Sequence, residues 1–533
     1  MTASIGRGSR HRAWRSRRLC RGAVGARGTW AVSLALLVGC ASSASVSGTR
    51  YASVNGRELA EPDEVPPLEG GEHSLSLEVA TVRALERSPD LAVQRLDPAI
   101  ATTFEEIERA EFGATLFADG QYRREISRET NRATMEQFDV TGSRINATVG
   151  VRQRTPTGTT IETTLGYGRD ESDRSPEQQS TRIGVRLTQS LLEGLRPEVN
   201  LARVHQAELE VDATRAQLRA YVIALLRDVE VAYWQAALAQ KNLTIVEESR
   251  GLAQQEADAA QARVELGDLA PADDAIARSQ LAIREQARID AEAALRSAKL
   301  QLARILGYAS TAELSITDAL AIEPSAIDDP DAHRELAARM RPDLEEARLR
   351  LEQNRLQTVV TANGLLPRLD VFVQLAKTGF GSSFGEAIEG LGERTHEVTA
   401  GLSFEQLLGN AAAEAQHSQA TLQRERAARA VGNLETLVRL DVDLALVELE
   451  RARQQIAASQ ETAAQQARVV EAERARLEVG EGTALLLAQA ENTHLQAQLA
   501  EAAALVAYRI GLVRLYAAEG SLLERRGVDL GSE

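Results

Sequence analysis

The sequence "RVELGDLAPADD" at residues 263–274 places a glycine and a proline between two long alanine-rich stretches. Residues 476–487, "RLEVGEGTALLL", repeat its beginning and put Gly480 in the place of Gly267. Glycine can take the left-handed conformation that ends a helix, and Pro271 suits the first turn of the next one. The two motifs therefore predict two tight turns between helices, at which the chain reverses.

The positions of the prolines predict very long helices beside these turns. None of the thirteen prolines lies between Pro197 and Pro271, and none lies after Pro367. Because a proline inside a helix costs about 3 kcal/mol, the segments 197–267 and 409–480 can each be one continuous helix. Each would be roughly 105 Å long at about 1.5 Å per residue, which indicates an elongated protein.

Apolar residues recur in both long segments at spacings of three and four. The two series are Leu218, Val222, Leu225, Val229 and Ala232 in the first segment and Leu437, Leu440, Leu444 and Val447 in the second. This heptad pattern predicts that each series packs against another helix. The pattern alone would fit any coiled coil, so a coiled-coil protein remains an alternative.

Both halves of the chain also contain segments in which apolar and polar residues alternate, which is the pattern of a strand with one apolar face. In the first half the apolar-face residues are Ile145, Ala147, Val149, Val151, Ile161, Thr163, Leu165, Tyr167, Ile183, Val185 and Leu187. In the second half they are Leu369, Val371, Val373, Leu375, Val398, Ala400, Leu402 and Phe404. The first half is the longer one, and we assign most of its excess to a hairpin around Pro156 that extends the sheet.

A short motif before the strands completes a plan that is used twice. "SPDL" at residues 88–91 is answered by "RPDL" at residues 341–344, and each motif opens a helical stretch. The sequence therefore predicts an α+β fold that is mostly α and is built from two tandem repeats. The predicted divisions are a first repeat at 74–310, an equatorial linker at 311–330, a second repeat at 331–518 and a C-terminal tail at 519–533.

The N-terminus has the features of an export signal. Residues 1–39 carry eight arginines and no acidic residue, and they end in an apolar run that is too short for a permanent membrane helix. The run closes with "LVGC" at residues 37–40, which resembles the lipobox of bacterial lipoproteins and makes Cys40 a candidate for lipidation. Residues 40–73 would then be an acylated linker. The alternative is an ordinary signal with an incidental cysteine.

Charge and composition argue against several classes of function. The formal net charge is −16, and removal of the eight arginines of the signal makes the exported chain more acidic still, which disfavours binding to nucleic acid. The histidines beyond the signal occur singly, so we expect no metal site. We also predict no catalytic residues and no cofactor, because no convergent set of reactive side chains is visible.

The complete pattern of both halves resembles the TolC-like outer-membrane efflux proteins over about residues 74–518. The stretches that carry the resemblance are "RSPDLAVQRL", "RIGVRLTQSLLEG", "MRPDLEEARL" and "LLPRLDVFV", together with the two turn motifs. The resemblance implies a homotrimer in which each chain lends four strands to one 12-stranded outer-membrane β-barrel. The helices would continue this barrel as a periplasmic tunnel. Four strands alone cannot satisfy their edges in lipid, which agrees with the need for partners.

The function that the resemblance implies is an exit duct for efflux or type I secretion. Such a duct docks to a periplasmic adaptor protein and an inner-membrane pump of the RND, ABC or a similar class. It would lie in the outer membrane of a Gram-negative bacterium, lipid-anchored and extending into the periplasm. The alternative from another class is a lipid-anchored periplasmic coiled-coil scaffold without a pore, which would have no use for the alternating segments.

The resemblance also assigns roles to the two turns. It implies that Arg263, Gly267, Leu269, Arg476 and Gly480 form tips that dock to the adaptor. It further implies that Asp273, Asp274, Leu486 and Gln489 lie at the tunnel entrance. Family members often carry aspartates six and nine residues after the second glycine, where this chain has Leu486 and Gln489. We therefore expect an apolar or leakier closure of the entrance.

Overall fold

The computed structural model describes residues 71–318 except residue 131, residues 320 and 324, and residues 329–529. The predicted signal at residues 1–39, the lipidation site Cys40 and nearly all of the linker at 40–73 lie outside the described residues. Eight strands and twelve α-helices are found in the described part. The strands are β1 (Glu72–Leu75), β2 (Thr115–Thr130), β3 (Gln137–Arg154), β4 (Thr159–Ser172), β5 (Ser175–Ser190), β6 (Glu313–Ile316), β7 (Arg368–Gly381) and β8 (Glu397–Glu405).

The helices follow the doubled plan of the sequence. They are α1 (Leu77–Arg87), α2 (Pro89–Gln94), α3 (Leu96–Ala110), α4 (Pro197–Asn200), α5 (Ala202–Glu265), α6 (Pro271–Ile305), α7 (Pro330–Met340), α8 (Pro342–Asn363), α9 (Phe384–Glu389), α10 (Ala411–Glu478), α11 (Ala484–Glu519) and α12 (Leu522–Arg525). None of the helices in the described part of the chain has the length and apolar composition that a membrane-crossing helix needs.

The two long helices are confirmed. Helix α5 has 64 residues and α10 has 68 residues, which corresponds to roughly 95–100 Å each at about 1.5 Å per residue. The first is separated from the short helix α4 only by Leu201. Helix α6 returns along α5, and α11 returns along α10. The molecule therefore contains two long helical hairpins, with their turns at the two glycine motifs.

The heptad series of α5 packs as predicted. Val222, Leu225, Val229 and Ala232 are buried and Leu218 is partly buried in the main apolar core. This core also contains residues of α1, α6 and α12 and the strands β1 and β6, which pair in parallel. The sequence analysis did not predict these two short strands, and β1 begins before the predicted start of the first repeat at residue 74.

The heptad series of α10 stays largely exposed within the described part of this chain. Leu437, Leu440, Leu444 and Val447 are 46% to 68% exposed. The residues of α10 that face the core include Val438, Val442, Leu449, Ala452 and Ile456. Both sets repeat at helical spacing, so apolar residues lie on two sides of this helix and the sequence pattern alone could not show which side meets its own chain. The exposed set, Leu437, Leu440, Leu444 and Val447, is called the α10 stripe below.

The C-terminal segment is bound to α5 by an ion pair whose carboxylate is buried and whose arginine is partly exposed. Arg526 donates from Nε to Oε1 of Glu230 and from Nη2 to Oε2, each at 2.6 Å. Glu230 lies in the middle of α5 and is completely buried. Leu522 and Leu523 of α12 are buried in the main core beside it. Residues 522–526 therefore close the core around the middle of α5.

Six strands form one antiparallel sheet in the order β2-β3-β4-β5-β7-β8. All strand residues named in the sequence analysis fall in β3, β4, β5, β7 and β8. The hairpin around Pro156 is present as the β3–β4 pair. Strand β2 was not predicted. The sheet of this chain therefore has six strands, two more than the four that the resemblance implies for the share of one chain in the barrel.

Candidate functional site

Both tips have the backbone conformation that their glycines suggested. Gly267 has φ +82° and Gly480 has φ +79°, values that favour glycine. The amide of Asp268 donates to the carbonyl of Arg263 at 2.9 Å, and the amide of Glu481 donates to the carbonyl of Arg476 at 2.9 Å. These bonds satisfy carbonyl groups at the ends of α5 and α10.

The helices that follow the tips begin differently. Pro271 occupies the first turn of α6, whereas the Thr483 hydroxyl accepts from the amide of Leu486 at the start of α11. A Cβ built on either tip glycine would meet no heavy atom within 4 Å. The glycines are therefore required by the backbone and not by crowding, which leaves the surface around both tips open.

A cleft of about 560 Å³ lies between the two tips. Among the predicted docking and entrance residues, Arg263, Leu269, Asp273 and Gly480 line it. The other predicted tip residues lie elsewhere on the surface. Arg476 pairs with Glu473 at 2.9 Å, and Asp274 pairs with Arg278 at 2.9 Å. The structure thus brings residues of both repeats together at one end of the molecule.

Leu486 and Gln489 are exposed on α11, while Leu487, Ala488 and Ala490 are buried. Because residues three apart in a helix lie on the same face, the two predicted entrance residues share an exposed face of α11. Nothing in the described part of the chain covers this face.

A cluster of charged residues joins the four helices of the two hairpins, and three of its members line this cleft. Arg474 of α10 contacts Glu256 of α5 at 3.0 Å and Glu491 of α11 at 2.9 Å. The carboxyl groups of Glu256 and Glu491 also hydrogen-bond to each other. Arg284 of α6 is buried nearby and donates to Oδ1 of the α11 residue Asn492 at 3.1 Å.

The cluster changes the pKa values of its members. Burial and the hydrogen bond with Glu256 raise the pKa of Glu491 to about 7, although Arg474 opposes the shift. Burial lowers the pKa of Arg284, and the charges of Glu491 and Glu256 oppose that change. Sequence reasoning missed this cluster. The one sign of it in the sequence is the symmetric placement of two glutamates about the tip glycines. Glu256 lies eleven residues before Gly267, and Glu491 lies eleven residues after Gly480.

The raised pKa of Glu491 predicts that the packing between the two hairpins becomes less stable as the pH rises. A carboxyl group with a raised pKa contributes its full stabilisation to the packed state when the pH is below its ordinary pKa of 4.5. This contribution is lost as the pH rises from 4.5 to about 7. Above that pH, the carboxylate of Glu491 is charged beside Arg474. We expect faster amide hydrogen exchange in α11 near Glu491 at pH 8 than at pH 6, after correction for the intrinsic rate.

Glu491→Gln is expected to abolish this pH difference, because glutamine stays neutral at both values. Glu461→Gln is the matched control, since Glu461 is an exposed residue of α10. An unchanged pH difference in Glu491→Gln would show that the cluster does not control the packing of the hairpins.

The sheet at the other end presents two unlike faces. The registers place all predicted apolar residues of β3, β4, β5, β7 and β8 on one face. Most of these side chains are exposed, including Leu165, Val185, Leu375, Val398 and Leu402. Within a single chain this apolar face therefore has no cover among the described residues.

The opposite face of the sheet is polar and carries ion pairs between strands, one across adjacent strands and one from β5 across β7 to β8. Arg152 pairs with Glu162 at 2.8 Å, and Arg182 pairs with Glu397 at 2.8 Å. Two phenylalanine rings lie over glycines of the adjacent strand, Phe117 over Gly150 and Phe372 over Gly401. An arginine covers each ring. This face suits contact with water, whereas the apolar face suits contact with lipid.

Comparison with solved structures gives the same architecture. The channel OprN aligns at 17% identity with a TM-score of 0.63, over 84% of this chain and 90% of that one. The CmeC outer membrane channel of Campylobacter jejuni aligns at 15% identity with a TM-score of 0.62, over 85% and 90%. The MtrE outer membrane channel of Neisseria gonorrhoeae, solved in its open state, aligns at 17% identity with a TM-score of 0.61, over 84% and 89%.

Comparison with protein families agrees with the doubled plan. No curated protein matches the chain. The family model described as outer membrane efflux protein matches residues 80–308 and 334–521. These segments cover most of the chain, and each contains one long helical hairpin and its share of the sheet. With its paired hairpins, two glycine tips and two-faced sheet, the chain belongs to the outer membrane efflux protein family.

Proposed function

We propose that three copies of this chain form an exit duct across the outer membrane of a Gram-negative bacterium. The observation that carries the proposal is the apolar face of the sheet, which is exposed across neighbouring strands and suits lipid. The α10 stripe supports the need for further copies, because it is a heptad surface that stays exposed among the described residues. The sheet edges would pair between copies, since unpaired backbone groups are costly in lipid.

The tips face the opposite end and dock to a periplasmic adaptor protein, which links the duct to an inner-membrane pump of the RND, ABC or a similar class. Arg263, Gly267, Leu269, Arg476 and Gly480 form the docking surface in this proposal. Asp273, Asp274, Leu486 and Gln489 line the entrance. Acylation of Cys40 would add a lipid anchor. The duct itself performs no chemistry, and the pump selects the exported substrate.

Reversal of charge at both tips is expected to weaken adaptor binding without affecting the pore. We expect the Arg263→Glu/Arg476→Glu variant to form the same conducting trimer as the wild type in planar bilayers. Its affinity for a periplasmic adaptor encoded beside it should fall by roughly tenfold or more, because charges at an interface contribute through complementarity. Binding is measured by surface plasmon resonance on the reconstituted trimer.

Arg429→Glu provides the control, since Arg429 lies on α10 far from the tip in sequence and is 80% exposed. Equal affinity of the tip variant and this control would contradict the docking role. A wild-type protein that is monomeric and gives no conductance would instead favour the scaffold without a pore.

Conductance recordings on Leu486→Asp test the entrance. A wild-type pore that is already as closed as this variant would contradict the expected leakier closure.

A further inference from the structure

The hairpin β3–β4 lies within the sheet and not beside it. Strand β3 pairs with β2 from Thr115↔Arg152 to Thr130↔Gln137, which is the full length of β2. Strand β4 pairs with β5 over nearly its whole length, with one irregularity between Asp170 and Ser172. The hairpin therefore separates β2, which follows α3, from β5, which leads to the long helix α5. It cannot leave the sheet without breaking two ladders of backbone hydrogen bonds.

The apolar face and the polar face of the sheet both continue across the hairpin β3–β4. On the apolar face Val149 stands between Ala118 and Leu165, and Leu165 is followed by Ile183. On the polar face Arg152 stands opposite Glu162, which is followed by Arg186. A hairpin that projected into water would not need an apolar face level with those of its neighbours.

The turn of the hairpin is tied to the base of the long helix. The side-chain nitrogen of Asn200 in α4 donates to the carbonyls of Pro156 at 2.8 Å and Gly194 at 2.7 Å. Arg154 pairs with Glu111, just beyond α3, at 2.9 Å. Gly158 has φ +76°, and a Cβ there would lie 2.2 Å from the Gly194 carbonyl oxygen. Such a close approach requires glycine and fixes the end of the hairpin at the junction of sheet and helices.

We propose that β3 and β4 form part of the channel wall, so that the barrel has eighteen strands, three times the six of one chain. This inference rests on the proposed trimeric duct and replaces the twelve strands that the resemblance implies. Each free edge, β2 and β8, takes a second copy of the chain as its partner. An even number of antiparallel strands leaves these edges running in opposite directions, so β8 of one chain pairs antiparallel with β2 of the next.

A wider bore at the outer membrane follows from the additional strands. The diameter of a barrel grows roughly in proportion to the number of its strands. Eighteen strands give a bore about half again as wide as twelve strands of the same tilt. The lumen of the duct would then widen from the helical tunnel toward the cell surface.

Electron microscopy of the purified trimer in lipid nanodiscs tests the proposal. We expect eighteen strands in the wall of the wild type. A variant that lacks residues 137–172 should close with twelve strands and a diameter about two thirds as large. A wild-type trimer with a twelve-stranded wall and the hairpin outside it would overturn this inference alone. A protein without a trimeric ring would overturn the proposed function as well. The wild-type count decides the question even if the shortened variant does not assemble.

Discussion

Replacement of Leu402 by arginine is expected to prevent assembly of the protein in the outer membrane, whereas arginine at the adjacent position 403 should be tolerated. Leu402 is on the apolar face of β8 opposite Val371, and Ser403 is on the polar face opposite Asp370. The Leu402 side chain is 70% exposed within one chain. Its replacement therefore removes few contacts within the protomer. A loss of assembly would then result from what the apolar face contacts outside the protomer.

An arginine on the lipid face of a barrel costs about 2–4 kcal/mol near the middle of the bilayer and less toward its edges, and Leu402 lies three residues from the end of β8. Each of three copies would carry this cost, while an arginine at position 403 would meet water and the carboxylate of Asp370. We expect loss of the heat-modifiable trimer from outer-membrane fractions for Leu402→Arg and retention for Ser403→Arg. Equal amounts of trimer for both variants would show that the apolar face does not meet lipid, and the proposed duct would fail.

The second large effect is expected for Arg526→Ala. This change leaves the carboxylate of Glu230 buried in α5 without the arginine that binds both of its oxygens. Removal of one partner of a fully buried pair costs about 3–5 kcal/mol, and we expect a smaller cost here because the Arg526 side chain is 32% exposed. We therefore expect a clearly lower melting temperature of the helical part, measured by circular dichroism on protein purified in detergent.

Two controls separate this effect from a general loss of charge. Arg429→Ala removes an exposed pair with Glu425 on α10, and such pairs contribute less than about 1 kcal/mol. The double variant Glu230→Met/Arg526→Met removes both charges and should melt closer to the wild type than Arg526→Ala does. If Arg526→Ala melted like Arg429→Ala, the pair between Arg526 and Glu230 would have no special role in stability.

Local patterns predicted the features that depend on backbone geometry. The glycine and proline spacing predicted both tips and both long helices, because those residues act through the conformations they permit. Alternation located β3, β4, β5, β7 and β8. Strand β2 was missed because its apolar face is interrupted by Gly120 and Arg124, which pair with Ala147 and Ser143. An edge strand with a weak alternating pattern cannot be recognised without its neighbour.

Features that depend on contacts between distant segments could not be predicted. Helix α10 carries apolar residues on two sides, so the choice between the inner set and the α10 stripe depends on where α11 lies. The cluster around Glu491 combines residues from four helices, and the members Glu256 and Arg474 are 218 positions apart. The burial that raises the pKa of Glu491 arises only when these helices come together.

The two hairpins have nearly equal reach, since α5 and α10 have 64 and 68 residues and their tips line a common cleft. One added heptad in a single hairpin would move its tip by about 10 Å and separate Arg263 from Gly480. A change of length is therefore acceptable only when α5, α6, α10 and α11 all change together. In the proposed duct the length of these helices sets the distance of the tips from the outer membrane, and this distance can change only by matched steps in both halves of the gene.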